Sequence, residues 1–180
     1  MQKAVADRWQ QTVGIPLIEA YGLTETSPAA SMNPLNLTAY NGSIGLPISN
    51  TEVDIRNDER QSLPVGEIGE LWIKGPQVMR GYWQRPEDTA KVIDALGFFA
   101  TGDMAIMDEK GFIKLVDRKK DMIVVSGFNV YPNEIEDVVA QMPGVLEVAC
   151  IGVNSDKTGE AVKLFVVKKD PALSKEDVIA

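Results

Sequence analysis

The sequence of 180 residues contains no histidine and one cysteine, Cys150. The absence of histidine excludes Ser-His and Cys-His nucleophilic sites and any zinc site built with histidine. A single cysteine excludes an internal disulfide and is typical of a reducing compartment, which predicts a cytoplasmic protein. Because Cys150 lies in the apolar stretch VLEVACIGV, we interpret it as a small core residue. Any proton transfer or charge stabilisation must therefore be carried out by Asp, Glu, Lys, Arg or Tyr.

Long apolar runs and an excess of basic charge are also missing. No stretch approaches the ~20 apolar residues that a helix needs to cross a bilayer. The net charge of −8 argues against a nucleic-acid-binding protein, which usually presents a basic face. Anionic small substrates stay compatible with it, because local cationic groups can hold them. The apolar fraction of 44% is sufficient for a hydrophobic core.

The first two thirds of the chain predict a helix followed by a β-rich region. Val5, Trp9 and Val13 repeat every four residues, as on one face of a helix. PLIEAYG predicts a short buried strand, and TETSPAASMNPLN predicts a loop. From about residue 42 to residue 118, TEVDIRN, GELWIKG and GFIKLVD alternate apolar and polar residues, as half-buried strands do. Pro86 predicts the start of a short helix between them.

The pattern changes after Lys120. MIVVSG predicts a strand, and PNEIEDVVAQMPG predicts a helix with Asn133 as N-cap and Glu136 completing a capping box. VLEVACIGV and AVKLFVVKK predict two strands, and a further helix begins at Ser174. We therefore expect a mixed α/β (α+β) protein, with a β-rich, barrel-like subdomain ending a large domain over residues 1–119. Residues 120–180 would form an incomplete small domain, so the chain is expected to be part of a longer one.

YGLTET, residues 21–26, follows a predicted strand and offers groups that suit a nucleotide. Tyr21 presents a flat ring, and Gly22 allows close approach to the backbone. Thr24 supplies a hydroxyl, and Glu25 supplies an oxygen ligand of the kind that Mg²⁺ prefers. The same composition also fits a polar turn after a strand.

Two further polar stretches follow apolar segments. In TGDMA, Asp103 is placed to accept hydrogen bonds from two vicinal hydroxyls, but a turn residue or a helix cap fits it equally well. In DRKKD, Arg118 ends an apolar strand, where its planar donors suit a ribose or phosphate oxygen. Charge runs of this kind are more often solvated loops.

The order of four motifs gives these stretches a common context. YGLTET, GELWIKGPQVMRGYW, TGD and VDRKKDMIVVSGFNVYPNEIE resemble, in that order, the motifs of the adenylate-forming enzymes: acyl-CoA synthetases, luciferases and peptide-synthetase adenylation domains. FNVYPNEIEDVV, GPQVMRGYWQRPEDT and GEAVKLFVVKKDPALS are most similar to bacterial long-chain fatty-acid–CoA ligases. The resemblance covers nearly the whole chain. It implies that ATP and a fatty acid form acyl-AMP and pyrophosphate, after which the CoA thiol displaces AMP.

The resemblance also implies a role for each candidate residue. Nucleotide contacts would come from Tyr21 against the adenine, Gly22 lining the pocket, Thr24 at the α-phosphate, Asp103 and Arg118 at the ribose, and Leu115 near the nucleoside. Glu25 would hold Mg²⁺, and Thr24 and Glu25 would be catalytic. Lys120 would be the hinge about which the small domain turns between the two half-reactions. Gly127 would lie where the pantetheine chain of CoA passes.

Two family parts have no counterpart in these residues: an upstream Ser/Thr/Gly-rich phosphate loop ending in lysine, and a lysine near the end of the small domain. We therefore expect the 180 residues alone to be inactive. Alternatives are an adenylate-forming ligase for aryl, medium-chain or amino acids, and a non-catalytic nucleotide-binding remnant. The resemblance is also compatible with peripheral membrane association at the inner face of the membrane and with a homodimer of the full-length protein.

Overall fold

The computed structural model describes residues 3–179, apart from the side chain of Ala4. The chain divides into two compact units, Met1–Leu115 and Val116–Ala180. The division falls inside a strand, close to the boundary predicted at Lys120, whose role as a hinge stays a prediction. The longest described helix has 11 residues. Within residues 3–179 no helix combines the length and hydropathy that crossing a membrane requires.

The first unit begins with a helix and a small antiparallel sheet. They comprise α1 (Lys3–Val13), β1 (Ala20–Gly22), β2 (Ala29–Met32) and β3 (Leu46–Pro47), in the order β1-β2-β3. The helix α1 confirms the helix predicted from the spacing of Val5, Trp9 and Val13. The predicted buried strand is only three residues long and partly exposed. The loop predicted over TETSPAASMNPLN is wrong at β2, because burial of the small residues Ala30 and Ser31 outweighs their low strand propensity.

A second antiparallel sheet forms the β-rich part of the first unit. It contains β4 (Glu52–Arg56), β5 (Gly69–Lys74), β6 (Phe99–Met107) and β7 (Ile113–Arg118) in the order β4-β5-β6-β7, with α2 (Pro86–Val92) between β5 and β6. β4, β5, β7 and α2 confirm the elements that alternation and Pro86 predicted. The mixed α/β class is thus confirmed. Within residues 3–179 the sheets stay open and do not close into a barrel, so the barrel-like shape expected from the sequence is not formed.

The core of the first unit lies between its two sheets. Its buried members come from both sheets and the adjoining loops: Ala30, Ile44, Ile55, Leu71, Ile73, Ala105 and Ile113. Leu71 and Ile73 share one face of β5, because side chains alternate along a strand. Tyr21 and Leu115 pack against this cluster. The core therefore fixes two residues that the resemblance places in a nucleotide site.

The other face of β5 carries Trp72, which is 2% exposed. The Arg56 guanidinium lies 4.7 Å from the centre of the Trp72 ring and 4.5 Å from that of Phe98. Arg56 also forms ion pairs of 2.6 Å with Asp54 and 2.7 Å with Asp94. These contacts join β4 and β5 to the segment that follows α2.

The second unit is a four-stranded antiparallel sheet with helices. Its elements are β8 (Ile123–Val125), β9 (Phe128–Val130), α3 (Pro132–Val139), β10 (Val145–Ser155), β11 (Gly159–Lys168) and α4 (Lys175–Ile179), and the strand order is β10-β11-β8-β9. The helix α3 packs against β10. The elements β8, α3, β10, β11 and α4 confirm the order predicted after Lys120, whereas the short strand β9 was not predicted.

The start of α3 differs from the predicted capping box. The N-cap residue is Tyr131, without a side-chain cap of its own. Asp117 Oδ2 accepts a hydrogen bond of 2.9 Å from the backbone amide of Asn133. Glu136 Oε1 accepts one of 2.7 Å from the backbone amide of Cys150. The prediction for Asn133 and Glu136 is wrong because a residue of β7 supplies the cap and β10 engages the glutamate.

Cys150 is buried, as predicted. Burial raises the pKa of its thiol, and the neighbouring carboxylates of Glu136 and Asp117 raise this pKa further. The thiol therefore stays protonated and unreactive near neutral pH.

Candidate functional site

The turn that follows β1 is closed by a buried threonine. Residues Thr24–Thr26 form a single 3-10 turn, and Thr26 has no exposed surface. Its hydroxyl accepts a hydrogen bond of 2.8 Å from the Leu23 amide and donates one of 2.7 Å to the Pro28 carbonyl. This network fixes the backbone that carries Thr24 and Glu25. Sequence reasoning missed Thr26. The second threonine of TET could have indicated a hydroxyl that closes the turn.

Gly22 is required by the chain's own backbone. A Cβ at this position would lie 1.5 Å from the Pro28 carbonyl oxygen. No flexible side chain is involved that could move aside, so any larger residue would displace the turn. The close approach of a ligand, predicted from the sequence, is therefore not needed to explain the glycine.

Glu25 is held by a segment more than fifty residues further along the chain. Its carbonyl accepts a hydrogen bond of 2.8 Å from the Met79 amide, and its Oε1 accepts one of 2.9 Å from the Tyr82 hydroxyl. Burial raises the pKa of Tyr82, and the hydrogen bond to Glu25 raises it further, so the phenol remains a donor. Sequence reasoning missed Tyr82. Thr24, the first residue of the turn, is exposed.

Tyr21 and Asp103 meet in the structure. The Tyr21 hydroxyl donates a hydrogen bond of 2.5 Å to Asp103 Oδ2. Both side chains are half-buried, and Tyr21 packs on the core below them. The structure thus brings together two residues that the resemblance assigns to the adenine and the ribose of one nucleotide.

The TGD motif forms a bulge in β6. Glu70 pairs with Met104 and Trp72 pairs with Ala100, so residues 101–103 lie opposite Leu71 alone. Gly102 has a φ of +75° there, and its amide donates a hydrogen bond of 3.1 Å to Glu70 Oε1. Bulges re-aim side chains at the edges of sites. Asp103 is therefore neither a turn residue nor a helix cap, but a strand residue that the bulge redirects.

Thr101 completes this bulge. Its hydroxyl donates a hydrogen bond of 2.8 Å to the Leu71 carbonyl and accepts one of 3.1 Å from the Asp103 amide. The threonine and the glycine of the motif therefore have structural tasks, and only Asp103 presents its functional group to the candidate site.

The remaining predicted site residues are distributed between the two units. Leu115 belongs to the first unit and packs against its core. Arg118, Lys120 and Gly127 belong to the second unit. Arg118 ends β7 with an exposed side chain, and Lys120 is exposed at the centre of a 3-10 turn over Lys119–Asp121.

Gly127 occupies the turn between β8 and β9. Ser126 and Gly127 have φ angles of +52° and +86°, which is the pattern of a two-residue hairpin turn of type I′. A Cβ on Gly127 would meet no atom within 4 Å. The backbone conformation therefore favours glycine, and the surface around it is open.

In the described part of the chain the acidic residues do not form a metal site by themselves. Among the described residues no group of three or more Asp, Glu, Cys or His side chains could hold a metal ion. Glu25 supplies a single carboxylate on the turn that follows β1, the strand that contains Tyr21. One carboxylate suits Mg²⁺ when substrate phosphates provide further oxygen ligands.

Two family models match the chain. Residues 1–83 match the AMP-binding enzyme family, and residues 134–180 match the AMP-binding enzyme C-terminal domain. Together these matches span more than half of the chain. Residues 84–133, which neither model matches, contain β6, β7 and the hairpin of β8 and β9.

Named relatives match almost the whole chain. It is 57% identical to the long-chain-fatty-acid–CoA ligase of Escherichia coli O6:H1 over 99% of its length, and 42% identical to that of Bacillus subtilis over 93%. The chain covers 32% and 30% of these relatives, so it spans about a third of their length.

Solved structures share the fold. The ATP-bound MatB of Rhodopseudomonas palustris superposes with a TM-score of 0.93 at 36% identity, covering 98% of this chain and 35% of that one. An anthranilate CoA ligase in complex with anthranoyl-AMP gives a TM-score of 0.86 at 28% identity, covering 99% of this chain and 34% of that one. With the ordered motifs and both family matches, these similarities establish that the chain belongs to the family of AMP-binding, adenylate-forming enzymes.

Proposed function

We propose that this chain forms the nucleoside-binding part of a long-chain fatty-acid–CoA ligase that releases AMP. The complete enzyme would convert ATP, a fatty acid and CoA into acyl-CoA, AMP and pyrophosphate through an acyl-adenylate. The observation that carries the proposal is an identity of 52–58% along nearly the whole chain to six ligases that bear this name. The hydrogen bond between Tyr21 and Asp103 supports it from the structure.

The first unit would bind the nucleotide. Tyr21 would lie against the adenine, Gly22 would line the pocket, and Asp103 would accept hydrogen bonds from the ribose hydroxyls. Thr24, exposed on the 3-10 turn, would contact the α-phosphate. Leu115 would contribute an apolar wall near the nucleoside, since it already packs against the core.

Glu25 would be the protein's ligand for Mg²⁺. When bound, Mg²⁺ would supply charge neutralisation at the phosphate oxygens. In the step that forms the acyl-adenylate, the fatty-acid carboxylate would attack the α-phosphorus, and pyrophosphate would leave. Glu25 fits this part because one of its carboxylate oxygens is held by Tyr82, while no residue of 3–179 donates a hydrogen bond to the other.

The second unit would supply the parts that distinguish the two half-reactions. Arg118 would reach the ribose, Lys120 would act as the hinge, and Gly127 would border the path of the CoA pantetheine. The open surface around Gly127 is compatible with a chain passing over the hairpin. The single cysteine, which is free and buried, supports a cytoplasmic location, and we keep peripheral membrane association and homodimerisation as predictions.

The complete product of the gene that encodes these residues provides the test of substrate class. It is incubated with ATP, Mg²⁺, CoA and palmitate, benzoate or an amino acid in parallel, and acyl-CoA and AMP are measured. Palmitoyl-CoA formation well above the other acids supports the proposal. Preference for benzoate or for the amino acid would place the protein in another branch of the family.

A graft tests the role of these residues alone. Residues 1–180 replace the aligned segment of the Escherichia coli O6:H1 ligase, which is 57% identical. We expect the graft to form acyl-CoA, whereas the isolated 180 residues do not. A folded but inactive graft, together with an inactive complete gene product, would favour a nucleotide-binding protein without catalysis.

A further inference from the structure

Tyr82 is connected to the candidate metal ligand by one direct contact. Its hydroxyl donates a hydrogen bond of 2.9 Å to Glu25 Oε1, and both side chains are half-buried. The two residues are 57 positions apart. A hydrogen bond to a carboxylate restricts the rotation of its side chain and leaves the second oxygen pointing in a defined direction.

The helix α2 fixes the backbone of Tyr82. The Thr89 hydroxyl accepts a hydrogen bond of 2.9 Å from the Tyr82 amide and donates one of 2.9 Å to the Arg85 carbonyl. Gly81 has a φ of +150°, and a Cβ on it would lie 2.8 Å from Thr89 Cγ2. The segment before α2 therefore approaches the helix so closely that the tyrosine can vary little in position.

The backbone of Glu25 is fixed independently. The Met79 amide donates to the Glu25 carbonyl at 2.8 Å, and the buried Thr26 closes the turn from below. With the main chain held by Met79 and Thr26, the hydroxyl of Tyr82 restrains only the carboxylate. Loss of that hydroxyl should thus change the direction of the carboxylate without unfolding the turn.

We propose that Tyr82 is a positioning residue that aims the Glu25 carboxylate at Mg²⁺ bound with ATP. The inference rests on the proposed function, since it takes Glu25 as the ligand of that ion. Tyr82 does not touch the metal or the substrate. Oε1 is oriented by the phenol, and Oε2 is the oxygen that meets the ion.

The test measures binding in the complete gene product, in the absence of fatty acid so that ATP is not consumed. Tyr82→Phe removes only the hydroxyl. The control is Tyr40→Phe, which removes the hydroxyl of another tyrosine in the first unit. ATP binding is titrated by calorimetry at increasing Mg²⁺, and AMP binding is measured without Mg²⁺. Tyr82→Phe should raise the Mg²⁺ concentration for half-maximal ATP binding about ten-fold. AMP affinity should stay unchanged, and Tyr40→Phe should behave as wild type in both titrations.

A double-mutant cycle separates positioning from general damage. In the Glu25→Gln background, Tyr82→Phe should cause no further shift in the Mg²⁺ requirement. The inference is overturned if Tyr82→Phe keeps the wild-type Mg²⁺ requirement, if it weakens AMP binding equally, or if its effects add to those of Glu25→Gln. In each case the wild-type titration still supports the proposed function. A wild-type protein without Mg²⁺-dependent ATP binding would overturn both.

Discussion

The Arg56 guanidinium lies 2.7 Å from the Asp94 carboxylate, with only 7% and 15% of the two side chains exposed. Burial alone would raise the pKa of Asp94, but hydrogen bonds from Arg56 and from the amides of Phe98 and Leu96 lower it below its ordinary value of 3.8. The ionised carboxylate therefore stabilises the fold. That stability is fully present above the unfolded-state pKa and is lost as the pH falls through the folded-state pKa.

We predict that Asp94→Asn weakens the protein by about 1–3 kcal/mol at neutral pH and removes part of the stability loss below about pH 4. Thermal unfolding of the complete gene product, followed by tryptophan fluorescence from about pH 7 to about pH 3, measures both effects. Trp72 reports locally because its ring contacts Arg56. Replacing the exposed Glu109 by Gln is the control. A variant that loses stability at acid pH as wild type does would contradict the prediction.

Tyr21→Phe tests the link between the two nucleotide-binding candidates. Without the phenol, the Asp103 carboxylate loses a donor that orients it, while the ring still packs on the core. We expect AMP affinity to fall about five-fold, which corresponds to roughly 1 kcal/mol. Calorimetric titration with AMP measures it, and Asp103→Asn should cost more. An unchanged AMP affinity at an unchanged Tm would show that the hydrogen bond has no part in binding.

Local sequence patterns, within single strands and helices, predicted much of the fold. Alternation located β4, β5 and β7, and Pro86 located α2, because each element carries its own periodicity or start residue. The motif order also indicated the family. The motifs indicate Tyr21 and Asp103 as candidate site residues, and the structure joins the two through a hydrogen bond.

Contacts between distant residues could not be predicted in this way. The Asp117 cap of α3 and the contact between Tyr82 and Glu25 join residues 16 and 57 positions apart. Nothing local distinguishes Tyr82 from an ordinary aromatic residue in a GYW turn. The bulge at Thr101–Asp103 depends on its register with β5, which a single strand does not reveal.

The cap of α3 provides a stability prediction. Asp117 is 6% exposed, and its two oxygens accept hydrogen bonds from the Asn133 and Arg118 amides. Asp117→Ala should destabilise the second unit by about 1–2 kcal/mol, since it removes an N-terminal cap and leaves amide donors without an acceptor. Hydrogen exchange of the α3 amides measures the loss. Asn133→Ala is the matched control. A larger effect at Asn133 would restore the capping box predicted from the sequence.

Lys120→Pro tests the proposed hinge. Lys120 is exposed in the turn Lys119–Asp121, and proline would fix its φ and restrict the preceding residue. If the second unit turns about this position, acyl-CoA formation should fall roughly ten- to hundred-fold while AMP affinity is retained. Pyrophosphate exchange and thioester formation are measured separately, because the hinge acts between these two steps. Lys120→Ala removes the charge but keeps backbone freedom, so it should lose less. Equal losses in AMP affinity and in turnover would mean that Lys120 supports the nucleotide site and is not a hinge.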